Sequence, residues 1–339
     1  MAYIKVDKAI VIVNVKNVLL IDSALCPVID DLRPESKIVG NNAQLIYVQG
    51  VSHVTDKQFE QADVVVSYFG SVLNQECINK LKQCKGIVAA TTGFNHIDIK
   101  AATLHSIPVC NISDYGHEDI ADHTMMLMLA LVRKLPKIVK HTRETRQCDW
   151  RAAQGAMRLK GKNLGILGFG KIGVAVAQRA FSFGLNIFYY DPYVHECADS
   201  HVHKIDTLEE FLKKIDILSI HCPLTEKTNK LINKDALSLL KKGAVIINTA
   251  RGQIIDEKSL ITLFDQYDFS LGLDVLENES CIPTEFLESD RVLVTPHSAF
   301  YTTDALEKMR HLAIVSAVNF LIGKKERNNI IVPFSEKFR

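Results

Sequence analysis

Three polar residues each stand a few positions past an apolar run: Arg251 in NTARGQ, Glu279 in DVLENES and His297 in TPHSAF. Their types suit one reaction. Hydride transfer between a nicotinamide and a 2-oxo or 2-hydroxy acid needs a cation that binds the carboxylate and polarises the carbonyl, and a general acid/base that titrates near neutrality. The planar fork of arginine matches a carboxylate. Histidine exchanges a proton near neutral pH, and a neighbouring carboxylate orients its ring and stabilises the imidazolium. Taken singly, each also has an ordinary reading: a surface ion pair, a solvated loop glutamate, a structural histidine after proline.

The cofactor such chemistry requires has a place in LGILGFGKIG, Leu164 to Gly173. An apolar run meets the turn Gly168-x-Gly170-x-x-Gly173 and passes through Lys171 and Ile172 into VAVAQRAFSFG, which has the apolar spacing of a helix with one buried face. Strand, glycine turn and helix make a pyrophosphate cradle, with helix-start amides facing the anion. The next apolar run, NIFYYDPY, ends in Asp191, about twenty residues on, where a carboxylate would accept hydrogen bonds from an adenosine ribose. No Lys or Arg follows closely to welcome a 2′-phosphate, which points to NAD rather than NADP.

The elements that position these groups alternate. DILSIHCPL, AVIINTARGQIID, SLGLDVLENES and RVLVTPHSAF each open as an apolar strand and end in polar residues. The polar groups therefore sit at the carboxyl ends of parallel strands, where open α/β sheets bind ligands. Upstream, Val18 to Ile21, Leu45 to Val48, Val64 to Val66, Gly86 to Ala90 and Val109 to Ile112 read as strands between amphipathic segments, which makes a second parallel sheet covered by helices. That region lacks a glycine fingerprint and is assigned to substrate. His117 to Glu144 reads as a helix, acidic at its start and basic towards its end. Its apolar residues cover nearly every face between Met125 and Val132, so it is expected between domains or subunits, with Pro136 kinking or ending its first part. Trp150, the only tryptophan, reads as a packing residue.

Composition excludes more than it identifies. The chain has 339 residues, 47% of them hydrophobic, with a net charge of +1 and no basic stripe for a nucleic acid. AIVIVNVKNVLLID is broken by Asn14, Lys16 and Asn17 and reads as strand rather than as a leader, and no run is long enough to span a bilayer. The 8 cysteines show no CxxC or His/Cys ligand spacing, which argues against a disulfide framework and a zinc site and for a reducing cytoplasm. The short Lys/Glu-mixed tail reads as solvated.

Set in order, GILGFGKIG, YYDPY, HCPLTEKTNKLIN, INTARGQIID, LGLDVLENES and VLVTPHSAFYT, with TTGFNHIDIKAA and ADHTMM upstream, closely resemble the D-isomer-specific 2-hydroxyacid dehydrogenase family. The resemblance runs from about Asp63 to Phe320 and leaves roughly the first forty residues without a matching signature. It implies two Rossmann-like or flavodoxin-like domains with parallel sheets and an interdomain cleft: residues 1–115 with 297–339 for substrate, and 116–296 for NAD. It implies catalytic roles for Arg251 (substrate), Glu279 (partner of the histidine) and His297 (proton donor and acceptor). Gly93, Phe94 and Asn95 correspond to the loop whose amides hold the substrate carboxylate. Gly168, Gly170, Lys171, Ile172, Gly173 and Asp191 correspond to the cofactor cradle, and His221, Cys222 and Pro223 to the segment beside the adenine. Asp274 corresponds to a position close to the nicotinamide carboxamide, and Thr249 and Ala250 are counted among the cofactor-binding residues.

Two departures stand out. The family's usual Asp-Asn pair is Asn95-His96 here, and its usual Pro after the glutamate is Ser280. Tyr68 replaces the arginine of phosphoglycerate-type members, which favours a small non-phosphorylated acid such as pyruvate, glyoxylate or hydroxypyruvate. Tyr115, Phe300 and Tyr301 resemble D-lactate dehydrogenase-like members and would make an aromatic pocket, although each alone reads equally well as core. Formate dehydrogenase is set aside because Glu279 is not glutamine. The C-terminal-binding-protein branch, an NAD-sensing dimeric scaffold, remains the alternative. A homodimer is expected in either case.

Overall fold

Uninterrupted apolar runs build both sheets, because a strand covered on two faces has no solvent side to mark with polar residues. The computed structural model describes residues 2–6, 9–13, 16–194, 200–324 and 330–332. The chain divides into one unit of Met1–Gly116 with Thr302–Arg339 and a second of His117–Tyr301.

In the first unit, β1 (Ala2–Val6) and β2 (Ala9–Val13) pair antiparallel. The strands β3 (Lys16–Asp22), β4 (Ala43–Gln49), β5 (Val64–Ser67), β6 (Ile87–Ala89) and β7 (Val109–Asn111) form a parallel sheet in the order β4-β3-β5-β6-β7. AIVIVNVKNVLLID is thus not one strand: Ala9–Val13 turns back on β1, and the sheet begins at Lys16. The core holds Leu19, Ile21, Val65, Ile87 and Val109 at no exposure.

Among its described residues the second unit has seven parallel strands: β8 (Asn163–Leu167), β9 (Asn186–Tyr190), β10 (Val202–Lys204), β11 (Ile217–Ile220), β12 (Val245–Asn248), β13 (Ser270–Leu273) and β14 (Val292–Val294). Their order is β10-β9-β8-β11-β12-β13-β14. The order reverses at β8, whose carboxyl end carries the glycine turn, and such a switch point opens a crevice for ligand. One apolar cluster covers each face of this sheet. In the first unit β15 (Ile330–Val332) closes the sheet antiparallel to β7, so that sheet is parallel apart from one edge.

Two expectations change. The stretch from His117 to Glu144 is two helices, His117–Val132 and Leu135–Thr145, separated at Lys134, which takes a left-handed φ of 57°. Pro136 falls in the first turn of the second helix, where its missing N–H breaks no bond. The first helix buries Ala121, Thr124, Met125, Leu127, Met128, Leu131 and Val132. They pack on β12, β13 and the Lys171–Phe181 helix within the same unit, while Met126 is 49% exposed. Trp150 is 86% exposed: the short Trp150–Ala153 turn, capped by Asp149, buries Ala152 instead. No helix among the described residues is long and apolar enough to cross a membrane. The Lys/Glu-mixed tail, from Phe334 on, lies outside the described residues.

Candidate active site

The cradle is shaped by what its glycines exclude. Gly168 takes φ +92°, and a Cβ there would lie 2.5 Å from the Cys222 nitrogen; one on Gly173 would lie 2.5 Å from the Gly168 oxygen. A Cβ on Gly170 would meet nothing within 4 Å, and no side chain caps the helix that starts at Lys171 with Ile172 behind it. The main chain is open there to a pyrophosphate, on the side the helix dipole makes positive. Asp191, just past β9, is drawn to the same turn: its Oδ2 accepts from Phe169 N–H at 2.9 Å and its Oδ1 from Tyr193 N–H at 2.8 Å. Each carboxylate oxygen keeps a further acceptor site, which is what a ribose diol needs. These residues fit NAD.

Cys222 packs buried against Gly168, and burial pushes its thiol up to about 12. His221 precedes it with Nε2 2.7 Å from Ser219 Oγ and with Nδ1 buried and lacking a partner among the described residues. Desolvation pushes its pKa from 6.5 down to about 3, so the ring is neutral. Pro223 is exposed and its carbonyl accepts from Thr228 Oγ1 at 2.6 Å.

The loop after β12 carries Thr249, Ala250 and Arg251. Asn248 folds it: its Oδ1 accepts from Ala250 N–H at 3.0 Å and its Nδ2 donates to the Arg251 carbonyl at 2.9 Å. Gly252 lies so close to the chain after β13 that a Cβ would sit 1.9 Å from the Leu276 carbonyl carbon. The Arg251 loop therefore rests directly on the segment that leads to Glu279. Arg251 is half-buried, and its Nη1 donates to the Ala250 carbonyl at 2.6 Å.

Glu279 and His297, 18 residues apart in sequence, meet: Oε1 lies 2.9 Å and Oε2 3.1 Å from Nδ1. His297 takes the left-handed φ of 53°, uncommon for a residue with a Cβ. Asp274 holds it there. That carboxylate, 2% exposed as a residue, accepts from Thr295 Oγ1 at 2.6 Å, Ser298 N–H at 2.9 Å and Ala299 N–H at 3.0 Å, while its carbonyl takes His297 N–H at 2.9 Å. The position matched to the nicotinamide is thus occupied in fixing the loop of the candidate proton donor.

The remaining candidates fall into two groups. In the first unit, the loop after β6 is held by Thr91 Oγ1 donating to the Gly93 carbonyl at 2.6 Å and by Ile97 N–H donating to the Phe94 carbonyl at 3.0 Å. Phe94 packs on the core and Asn95 is exposed. Tyr68 and Tyr115 are buried there. Tyr68 is fully enclosed, and its hydroxyl has no partner among the described residues. Burial, then the Glu35 and Asp22 carboxylates, hold its pKa well above the ordinary phenol value. In the second unit, Phe300 is half-buried and meets Tyr301 edge-on at 6.4 Å, with Tyr301 64% exposed.

His123, Thr124 and Thr295 lie inside the runs ADHTMM and VLVTPHSAFYT but have no role of their own in sequence. They enter only because the fold brings together residues 172 and 125 positions apart, His123 with Thr295 and Thr124 with Thr249.

Residues 125–299, just over half the chain, match the family described as D-isomer specific 2-hydroxyacid dehydrogenase, NAD binding domain. The D-3-phosphoglycerate dehydrogenase of Methanocaldococcus jannaschii is 35% identical over 281 residues, 82% of this chain and 53% of that protein. C-terminal-binding protein 1 of Caenorhabditis elegans is 33% identical over 273 residues, 77% of this chain and 38% of that protein. The chain thus spans about half the length, or less, of these curated relatives. The crystal structure of the Aquifex aeolicus D-lactate dehydrogenase complexed with NAD and lactic acid superposes with a TM-score of 0.84 at 28% identity, covering 94% of this chain and all of that one.

Proposed function

The chain belongs to the D-isomer specific 2-hydroxyacid dehydrogenase family, and on that footing we propose that it is an NAD-dependent reductase of small, non-phosphorylated 2-oxo acids, run in reverse as a 2-hydroxy acid dehydrogenase. The observation that carries the reading is the forked contact of Glu279 with Nδ1 of His297, in the unit that also bears the NAD cradle. A carboxylate only accepts, so Nδ1 holds a hydrogen and the ring exchanges its working proton at Nε2. Arg251 binds the substrate carboxylate and draws charge toward the carbonyl oxygen. When bound, NADH supplies the hydride; His297 supplies the proton that the oxygen gains.

The small-acid preference is supported by Tyr68 and Arg310. Tyr68 stands where the resemblance places the arginine of phosphoglycerate-type members, and Arg310 in the same unit is engaged by Glu35, with Nε at 2.7 Å and Nη2 at 3.0 Å from its carboxylate oxygens. A homodimer is part of the proposal. The Leu135–Thr145 helix buries none of its residues although it alternates apolar and charged faces, and Trp150 follows it exposed.

The scaffold alternative is favoured by the 33% identity to C-terminal-binding protein 1. One experiment separates the two: NADH absorbance followed with pyruvate, glyoxylate, hydroxypyruvate, phenylpyruvate and longer 2-oxo acids. Saturable reduction of the short acids supports the reductase. Reduction of none, together with peptide binding by the first unit, replaces it with the scaffold.

A further inference from the structure

We propose that the amino-terminal half of the His117–Val132 helix is a brace that fixes the Arg251 and His297 loops against each other, with His123 and Thr124 as its two positioning residues. This rests on the reductase reading for its consequence in turnover, but not for its geometry. Adjacent on one helix, the two side chains reach different loops: His123 Nε2 lies 3.0 Å from Thr295 Oγ1, and Thr124 Oγ1 lies 3.1 Å from Thr249 Oγ1. Each target stands two residues before a candidate catalytic side chain, Thr295 before His297 and Thr249 before Arg251.

Counting hydrogens fixes the direction of both bonds. Thr295 gives its hydroxyl hydrogen to Asp274 Oδ1 at 2.6 Å, so toward His123 it accepts, and His123 Nε2 is the donor. Thr124 gives its hydrogen to the Ile120 carbonyl at 2.8 Å, so Thr249 donates to it. Asp274 Oδ1 also lies 3.6 Å from His123 Nε2. The chain His123–Thr295–Asp274 therefore continues into the amides of Ser298 and Ala299, on the far side of His297. Thr124, Thr249 and Asp274 are all buried, at 0%, 7% and 2% exposure, so water does not compete for the bond between the two threonines. Farther along the helix Met125, Leu127, Met128, Leu131 and Val132 are buried in the core, which gives both side chains a rigid base.

The test uses the full chain with His123→Leu and Thr124→Val, against the conservative His123→Gln and Thr124→Ser. Backbone amide exchange reads the loops without reference to turnover. In His123→Leu the Ser298 and Ala299 amides exchange about tenfold faster, and in Thr124→Val so does Ala250, with the β8 amides unchanged. Turnover falls roughly ten- to hundredfold, affinity for NADH stays within about twofold, and the conservative variants recover most of the loss. Unchanged exchange in both loops overturns the brace, as does equal acceleration through the whole unit, which marks general destabilisation. Loop-specific acceleration in a protein whose parent reduces no 2-oxo acid leaves the brace standing and removes the reductase reading.

Discussion

Glu279 straddles His297: its two carboxylate oxygens lie 2.9 and 3.1 Å from the same ring nitrogen, Nδ1. A forked acceptor on one nitrogen fixes both tautomer and ring plane. His297→Gln is expected to lower kcat by about 10²–10⁴-fold while NADH binds within about twofold of the parent. Glu279→Gln keeps an oxygen for Nδ1–H but loses the charge, so its loss is smaller, about ten- to hundredfold. Steady-state kinetics and fluorescence titration check both. Parent-like turnover in His297→Gln would remove the histidine from the chemistry.

Asp191 answers for two things at once. Its Oδ2 holds the glycine turn through Phe169 N–H, and its remaining acceptor capacity is assigned to the ribose. Asp191→Ala is expected to weaken NADH binding about ten- to a few hundredfold, the scale of lost bonds to a charged acceptor. Calorimetric titration measures it directly. Unaltered affinity would mean that the carboxylate serves only the turn.

Tyr68 changes meaning once its surroundings are known. Read as a pocket residue in sequence, it is fully enclosed beside the Glu35–Arg310 ion pair, with a hydroxyl that has no partner among the described residues. Removing a buried unsatisfied hydroxyl is neutral or stabilising, so Tyr68→Phe should raise unfolding free energy by 0 to about 1 kcal/mol and leave KM for pyruvate within about twofold. A KM raised more than about tenfold would return the hydroxyl to the substrate.

What was legible in the sequence was local. The glycine turn, Asp191 and the strand-end positions of Arg251, Glu279 and His297 could be read because each motif is a strand followed by its own loop. What pairs across long separations could not. The bond between His123 and Thr295 spans 172 positions, and nothing about a helical histidine names its partner. The apolar middle of the His117–Val132 helix does not say in sequence which strands cover part of it, β12 and β13 of its own unit. Its break at Lys134 depends on a left-handed backbone with no glycine to announce it. Trp150 was misread for the opposite reason: size suggested burial, while the turn capped by Asp149 directs it outward.

That outward tryptophan gives the dimer proposal its test. A large apolar ring at 86% exposure beside a helix with no buried residue is a candidate anchor between two copies. Sedimentation of the parent at micromolar concentration is expected to give a dimer, and Trp150→Glu a monomer, since one such anchor is worth about 2–4 kcal/mol of association. A monomeric parent, or a variant that sediments unchanged, would remove this surface from the assembly.

His221 should leave a mark on acid stability. Desolvation lowers its pKa from 6.5 to about 3 in the fold, where Nδ1 is buried and Nε2 meets Ser219. The folded chain refuses a proton that the unfolded chain accepts. The stabilisation is therefore complete above pH 6.5, declines as pH falls below it, and levels off once pH passes the folded value of about 3. The limiting slope for one such group is about 1.4 kcal/mol per pH unit, reduced where the ring edge reaches water. In urea unfolding at successive pH values, His221→Gln should lack this component, so that the stability difference between parent and variant shifts by about 1–2 kcal/mol in the variant's favour between pH 7 and pH 4.5. Parallel stability curves for the two proteins would mean that the folded ring takes up its proton at the ordinary pH, and that the His221 segment is open to water.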